Sequence, residues 1–117
     1  MYARILVFQP IKSKITPFFD YSIPEGLRDQ IRPGVLVVVP FRHRVLPGIV
    51  MGLTDTPAVP KTRPIQSVLD PEPALPPYLL DLAQWMARET LSPLHKCVQA
   101  MLPPGLRPKV DLIMEAR

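Results

Sequence analysis

Asp20 is the residue whose placement most needs a chemical reason. It lies in Phe18-Phe19-Asp20-Tyr21-Ser22, which reads as a short aromatic strand. Ile23-Pro24-Glu25-Gly26-Leu27 closes that strand with a turn, because Pro24 fixes φ and Gly26 permits φ > 0. Asp is depleted in strands and costly to bury unpaired. Either a partner within the protein satisfies it, or it faces a pocket and accepts hydrogen bonds from a ligand. A carboxylate repels phosphate, so it is a poor choice along a nucleic-acid backbone. It suits the place where that backbone stops, since an ionised Asp can take donors from a free 3′-hydroxyl and a base edge. It would also disfavour a further phosphate there. The neighbouring Phe19 and Tyr21 rings offer stacking surface worth roughly 1–3 kcal/mol per base. A turn-capping or edge-strand Asp accounts for the same residue without any ligand.

The other candidates divide between phosphate contacts and ordinary surface. Arg42-His43-Arg44 is a basic connector that either grips phosphate or is a solvated hairpin turn, and the same choice applies to Lys61 and Arg63. His95 and Cys97 fall two residues apart in an expected helix, where i and i+2 do not face each other, so a nucleophile–base pair is disfavoured and packing is the expected role of Cys97. Two His and one Cys are too few for a metal site unless carboxylates complete it. Neither G-x-x-x-x-G-K-[ST] nor G-x-G-x-x-G occurs, which excludes nucleotide binding through those motifs. Catalysis within this chain is not expected. Trp85 and Met86 fit a partner groove or a helical core stripe, and the pattern favours the core.

Composition bounds the elements that must position these residues. A chain of 117 residues makes one domain with little core to spare. Its 17 prolines recur at strand boundaries (Pro10, Pro17, Pro24, Pro33, Pro40 and Pro47), the pattern of short strands with rigid corners. One cysteine excludes an internal disulfide, and with neither a secretory signal nor a long apolar run a cytoplasmic location is expected. Residues 1–68 carry nine Lys/Arg against four Asp/Glu, a net of +5, whereas residues 69–117 carry five against six, a net of −1. A basic front half is compatible with a phosphate-bearing partner.

Strands are expected at Tyr2–Phe8, Phe18–Ser22, Val35–Val39, Val45–Leu53 and Ile65–Leu69. Gly48 and Gly52 allow bends or bulges in the fourth. Residues 9–17, holding Lys12 and Lys14, form a loop, and Arg28 to Arg32 a polar connection. Asp70 to Pro77 is a semi-rigid connector, followed by a helix over Pro77–Thr90 and a shorter one over Pro93–Met101. The fold class is therefore mainly β: a small OB-like (Greek-key) barrel of about five to six strands with a C-terminal helical pair, an SH3-like barrel being the near alternative. The expected organisation is a barrel core over 1–70, a connector and helical appendage over 71–104, and a linker over 105–117 toward a following domain.

Phe19-Asp20-Tyr21 with Ile23-Pro24-Glu25-Gly26-Leu27, then Pro33-Gly34-Val35-Leu36-Val37-Val38-Val39-Pro40-Phe41, then Gly48-Ile49-Val50 and Ser67-Val68-Leu69-Asp70, resembles the N-terminal domain of the primosomal protein N′ (PriA) replication-restart helicases. The likeness runs from about Phe8 to Pro104. It implies a module that captures the 3′-terminal nucleotide of a nascent strand at a stalled fork. Phe19 and Asp20 match the family's pocket strand, with Asp20 on the terminal base and sugar. Arg63 falls where the family tends to place a Lys, and Arg42 where it commonly has Gly. A long side chain at 42 would narrow the pocket or add a phosphate contact. The expected DNA-end residues are thus Phe19, Asp20, Tyr21, Arg42, Lys61 and Arg63. The resemblance also implies a motor outside this segment that uses ATP, magnesium and zinc, with no cofactor in this chain itself. Its implied partners are DNA 3′ termini, primosome components and single-strand-binding proteins, with no membrane and a monomeric state at the nucleoid. Two competing readings are a protein-docking adaptor, working through the Pro-rich connector or the Trp85 helix, and general single-strand binding along a groove.

Overall fold

The structure, a computed structural model, describes residues 2–8, 18–56, 62–70, 72–90, 94–103, 105, 106, 110 and 113, with the His95 side chain left aside. The expected loop with Lys12 and Lys14, and Lys61, lie outside the described residues. Five strands and two helices follow in order: β1 (Tyr2–Val7), β2 (Phe18–Ser22), β3 (Leu36–Phe41), β4 (Arg44–Thr54), β5 (Ser67–Asp70), α1 (Pro77–Thr90) and α2 (Leu94–Met101). The strands form one antiparallel sheet in the order β2-β1-β4-β3-β5, with the helices at the C-terminal end, a small OB-like mainly-β domain.

Antiparallel alternation sorts side chains onto two faces. Ala3, Ile5, Tyr21, Val37, Val39 and Val50 enter one buried cluster, closed by Ile31 and Ile65. Leu6, Phe8, Leu36 and Ile49 point the other way and meet Leu75, Leu80, Ala83 and Val98. The apolar run Leu36–Val39 of β3 is thus explained, since both of its faces are buried. The connection expected to be polar contributes Ile31, which is 2% exposed. A single 3₁₀ turn, Glu25–Leu27, aims it inward, with the Ile31 N–H bonded to Leu27 O at 3.2 Å.

The expected fifth strand begins two residues late, because the residues before it serve another purpose. Ser22 N–H donates to Arg63 O and Ile65 N–H to Ser22 O, each at 3.0 Å, while Gln66 N–H donates to Val38 O at 2.9 Å. Residues 63–66 therefore tie β2 to β3, the first and fourth strands of the sheet, and hold the sheet curled. In β4, pairing with β1 slips between Arg4↔Gly52 and Ile5↔Val50, so Met51 is the extra residue of a bulge beside Gly52. Gly48 answers a different need: a Cβ there would lie 2.7 Å from Ile5 Cγ2 and 2.9 Å from the Leu6 carbonyl oxygen.

The α1 face differs from its expected stripe. Leu80 and Ala83 are the buried residues. Leu82 is 42% exposed and Trp85 52% exposed, so Trp85 is not core. Leu80 and Ala83 carry the helix into the buried cluster shared with Leu6, Leu36 and Val98, and the indole lies outside it.

Candidate nucleic-acid interface

At one end of the curled sheet, β2, the β3–β4 hairpin and residue 63 converge. The Phe19 ring packs edge-on against Phe41, with centroids 5.2 Å apart and planes at 74°. Phe19 remains 37% exposed, which leaves ring surface open to a ligand. Two residues along the same face, Tyr21 is buried, and its hydroxyl donates to Pro40 O at 2.8 Å. That bond crosses from β2 to β3 and fixes the separation of the two strands at the mouth. Burial pushes the Tyr21 phenol up to about 12, with the Arg63 charge pulling the other way. Tyr21 is therefore a neutral structural donor at ordinary pH.

Phe41 pairs with Arg44, so Arg42 and His43 alone make the hairpin turn. Two-residue hairpins that match strand twist require φ > 0 at their first central position. Arg42 occupies it at φ 58°. Its guanidinium carbon lies 5.5 Å from the Phe41 ring centroid, a cation–π contact. Arg63 Nη1 donates to Arg42 O at 3.2 Å, so a second exposed cation is anchored at the same turn. The expected residues Phe19, Tyr21, Arg42 and Arg63 are thus gathered at one mouth, and Arg42 leans over a ring.

Asp20 does not share that face. Successive residues of a strand point to opposite sides, and Asp20 is paired with Arg4 of β1 in register. Arg4 Nε donates to Asp20 Oδ1 at 3.5 Å. The Asp20 side chain is only 3% exposed, against 51% for Arg4, and Arg4 is not its whole environment of interactions. The aromatic cleft read around Asp20 is therefore a strand with aromatics on one side and a carboxylate on the other. Both sides meet at the outer edge of β2, whose backbone beyond β1 is bridged only at Ser22 among the described residues.

Two residues escaped the sequence reading. Phe41, which completes the aromatic pair, entered only as the last residue of the Pro33–Phe41 stretch that carries the resemblance. Arg4 carried a signal: it is the one charge in Tyr2–Phe8, and a charged residue in an apolar strand invites a search for an opposite charge across the sheet. Among the described residues no group of three or more His, Cys, Asp or Glu is placed to hold a metal ion.

Comparison with known proteins gives the mouth a context. The family described as the PriA 3′ DNA-binding domain (3′BD) matches residues 4–103. The chain is 32% identical over 112 residues to the replication restart protein PriA of Bacillus subtilis (strain 168), covering 94% of this chain and 14% of that protein. Against the PriA of Chlamydia pneumoniae it is 32% identical over 103 residues, 88% of this chain and 13% of the relative. Against that of Synechocystis sp. it is 35% identical over 109 residues, 90% of this chain and 12% of the relative. The chain thus spans a small part, 12–14%, of the length of these relatives.

Proposed function

The chain belongs to the PriA 3′ DNA-binding domain family, and from that premise we propose that it captures the 3′-terminal nucleotide of a DNA strand at the outer edge of β2. The observation that carries this reading is the mouth itself: a part-exposed Phe19 ring braced by Phe41, with the Arg42 and Arg63 cations at one turn. In this reading the terminal base lies against Phe19, and Arg63 and Arg42, with Lys61, hold the strand's phosphates. Tyr21 keeps the mouth open through its bond to Pro40. Asp20, on the other side of the same strand and covered by Arg4, sets the negative potential at the β2 edge where the 3′-hydroxyl arrives. A further phosphate in place of that hydroxyl would face a carboxylate and be rejected.

Stacking and backbone contact tolerate any base, so the module reads an end and not a sequence. Few phosphates are neutralised, and log affinity should fall with log salt by roughly 0.7 per contact. So small a contact gives an affinity on the order of micromolar, since little surplus is left over the entropy of association. In its parent protein the module would deliver nascent strand ends at stalled forks to an ATP-driven helicase, acting without catalysis of its own. The place of action is then the cytoplasm at the nucleoid, as a monomeric domain.

The test is a titration of labelled single strands carrying a free or a phosphorylated 3′ end, with wild type and Asp20→Asn. Wild type should bind the free end several-fold more tightly, and the variant should lose that preference. Equal affinities in all four combinations refute end capture. A second reading, docking of a protein partner on α1, is favoured by the exposure of Tyr78 (70%) and Trp85 (52%). It predicts indifference to the 3′ group and sensitivity to substitution of Trp85.

A further inference from the structure

On the side of the sheet away from Phe19, β1 and β4 border an open groove of about 360 Å³, lined by Arg4, Phe18, Met51, Leu53, Thr54 and Gln84. We infer that this groove is a phosphate subsite, in which Arg4, oriented by Asp20, contacts the backbone phosphate nearest the strand terminus. The inference rests on the reading that a DNA strand ends at β2.

Three features support it. First, the groove has a built origin. The Met51 bulge shifts the end of β4 against β1, so that Gly52 stands opposite Arg4 and the strand end leaves space toward α1. Second, the guanidinium is held by one corner. Nε faces the Asp20 carboxylate at 3.5 Å, and since Asp20 is 3% exposed while Arg4 is 51% exposed, the acid is the fixed anchor and the cation is the presented group. Guanidinium carries five donors in a planar fork, and the Nε contact engages one of them. Among the described residues no carboxylate lines the groove, so the guanidinium's other donors face outward without a competing acid on the wall. Third, Arg4 resolves the difficulty that Asp20 creates. A strand terminus cannot come up to the β2 edge without bringing its own phosphate near the Asp20 charge. A cation 3.5 Å from that carboxylate lets the phosphate approach while the carboxylate stays in place.

The experiment measures binding of a labelled single strand with a free 3′ end over a salt series, for wild type, Arg4→Gln and Arg4→Lys in the full chain. Arg4→Gln should weaken binding at low salt and flatten the slope of log affinity against log salt by about 0.7, the value of one single-strand phosphate contact. Between about 50 and 200 mM salt the variant should therefore lose about 2.5-fold less affinity than wild type. Arg4→Lys keeps a charge in the groove and should retain the wild-type slope. An unchanged slope in Arg4→Gln overturns the inference, including the case in which the variant merely melts earlier and binds less. So does Arg4-dependent binding of an acidic peptide that DNA fails to displace. End capture is scored separately, by the ratio of affinities for free and phosphorylated 3′ ends in wild type. If that ratio exceeds one while the Arg4 slope does not move, the groove assignment alone falls; if the ratio is one, the end-capture reading falls whatever Arg4 does.

Discussion

Replacing Arg42 tests in one position how the fold and the mouth are linked. At φ 58° an L-residue bears left-handed strain, roughly 1–2 kcal/mol, which Gly does not bear. Against that, Gly adds about 0.5–1 kcal/mol of backbone entropy to the unfolded chain. Both Arg42→Gly and Arg42→Ala lose the contact over Phe41, about 0.5–1 kcal/mol at an exposed site. The comparison of the two variants therefore cancels the side chain and isolates the backbone. Arg42→Gly should be more stable than Arg42→Ala by about 1 kcal/mol, close to 4 °C in midpoint for a domain this size. Against wild type, the Gly variant should come out within about 1 kcal/mol, because relieved strain and lost contact offset each other. DNA affinity should nevertheless fall in both variants, with a salt slope shallower by about 0.7, because a cation has left the mouth. Urea melts and a salt titration check the two halves. An Ala variant as stable as the Gly variant would refute the assignment of strain to this turn. A wild-type salt slope in both would remove Arg42 from the interface.

Gly34→Ala should destabilise by roughly 3–5 kcal/mol in urea melts, because φ is 95° and a Cβ would overlap the Leu75 carbonyl oxygen, combining backbone strain with displacement of a buried leucine. Tyr21→Phe should cost about 0.5–1.5 kcal/mol through loss of the bond to Pro40. Because the folded-state value of Tyr21 is raised from 10.0 to about 12, its contribution is complete below pH 10 and disappears as pH climbs from 10 toward 12. Wild type should lose up to roughly 2 kcal/mol across that window and Tyr21→Phe markedly less, as read from melts at stepped pH. Trp85→Ala should change stability by less than about 1 kcal/mol, whereas Leu80→Ala should cost about 2–5 kcal/mol, since only the second opens a cavity.

Much of the chain was legible because its signals are local. Phe18–Ser22 and Pro77–Thr90 form the expected strand and helix, each punctuated by proline or by a change of period. The apolar run before Pro40 was readable as a strand from side-chain type alone, and the structure buries both of its faces. What was not readable depends on pairing. The 63–66 bridge needs Ser22 and Val38 on either side of it, and neither is near in sequence. Ile31 was hidden among polar neighbours, since one buried residue in a connector has no period to reveal it. Trp85 sits at helical spacing beside leucines, but which of them is covered is set by the elements packed on the helix and not by the spacing. Within the site, Phe19, Tyr21, Arg42 and Arg63 were named from sequence, and the facing of Asp20 was not. Three adjacent letters look like one cluster, whereas a strand divides them two to one.

That division has a mechanical corollary. A five-residue outer strand could slide along its neighbour with little change in backbone pairing, yet a shift of one place would drive the Asp20 carboxylate among valines and throw the Tyr21 ring out toward Arg4. The phenol's grip on Pro40 and the clasp at Ser22 act as two pegs against such sliding. Alignment of this strand is thus a property the domain must defend, and any variant that loosens both pegs together should misplace ring, cation and acid in a single step.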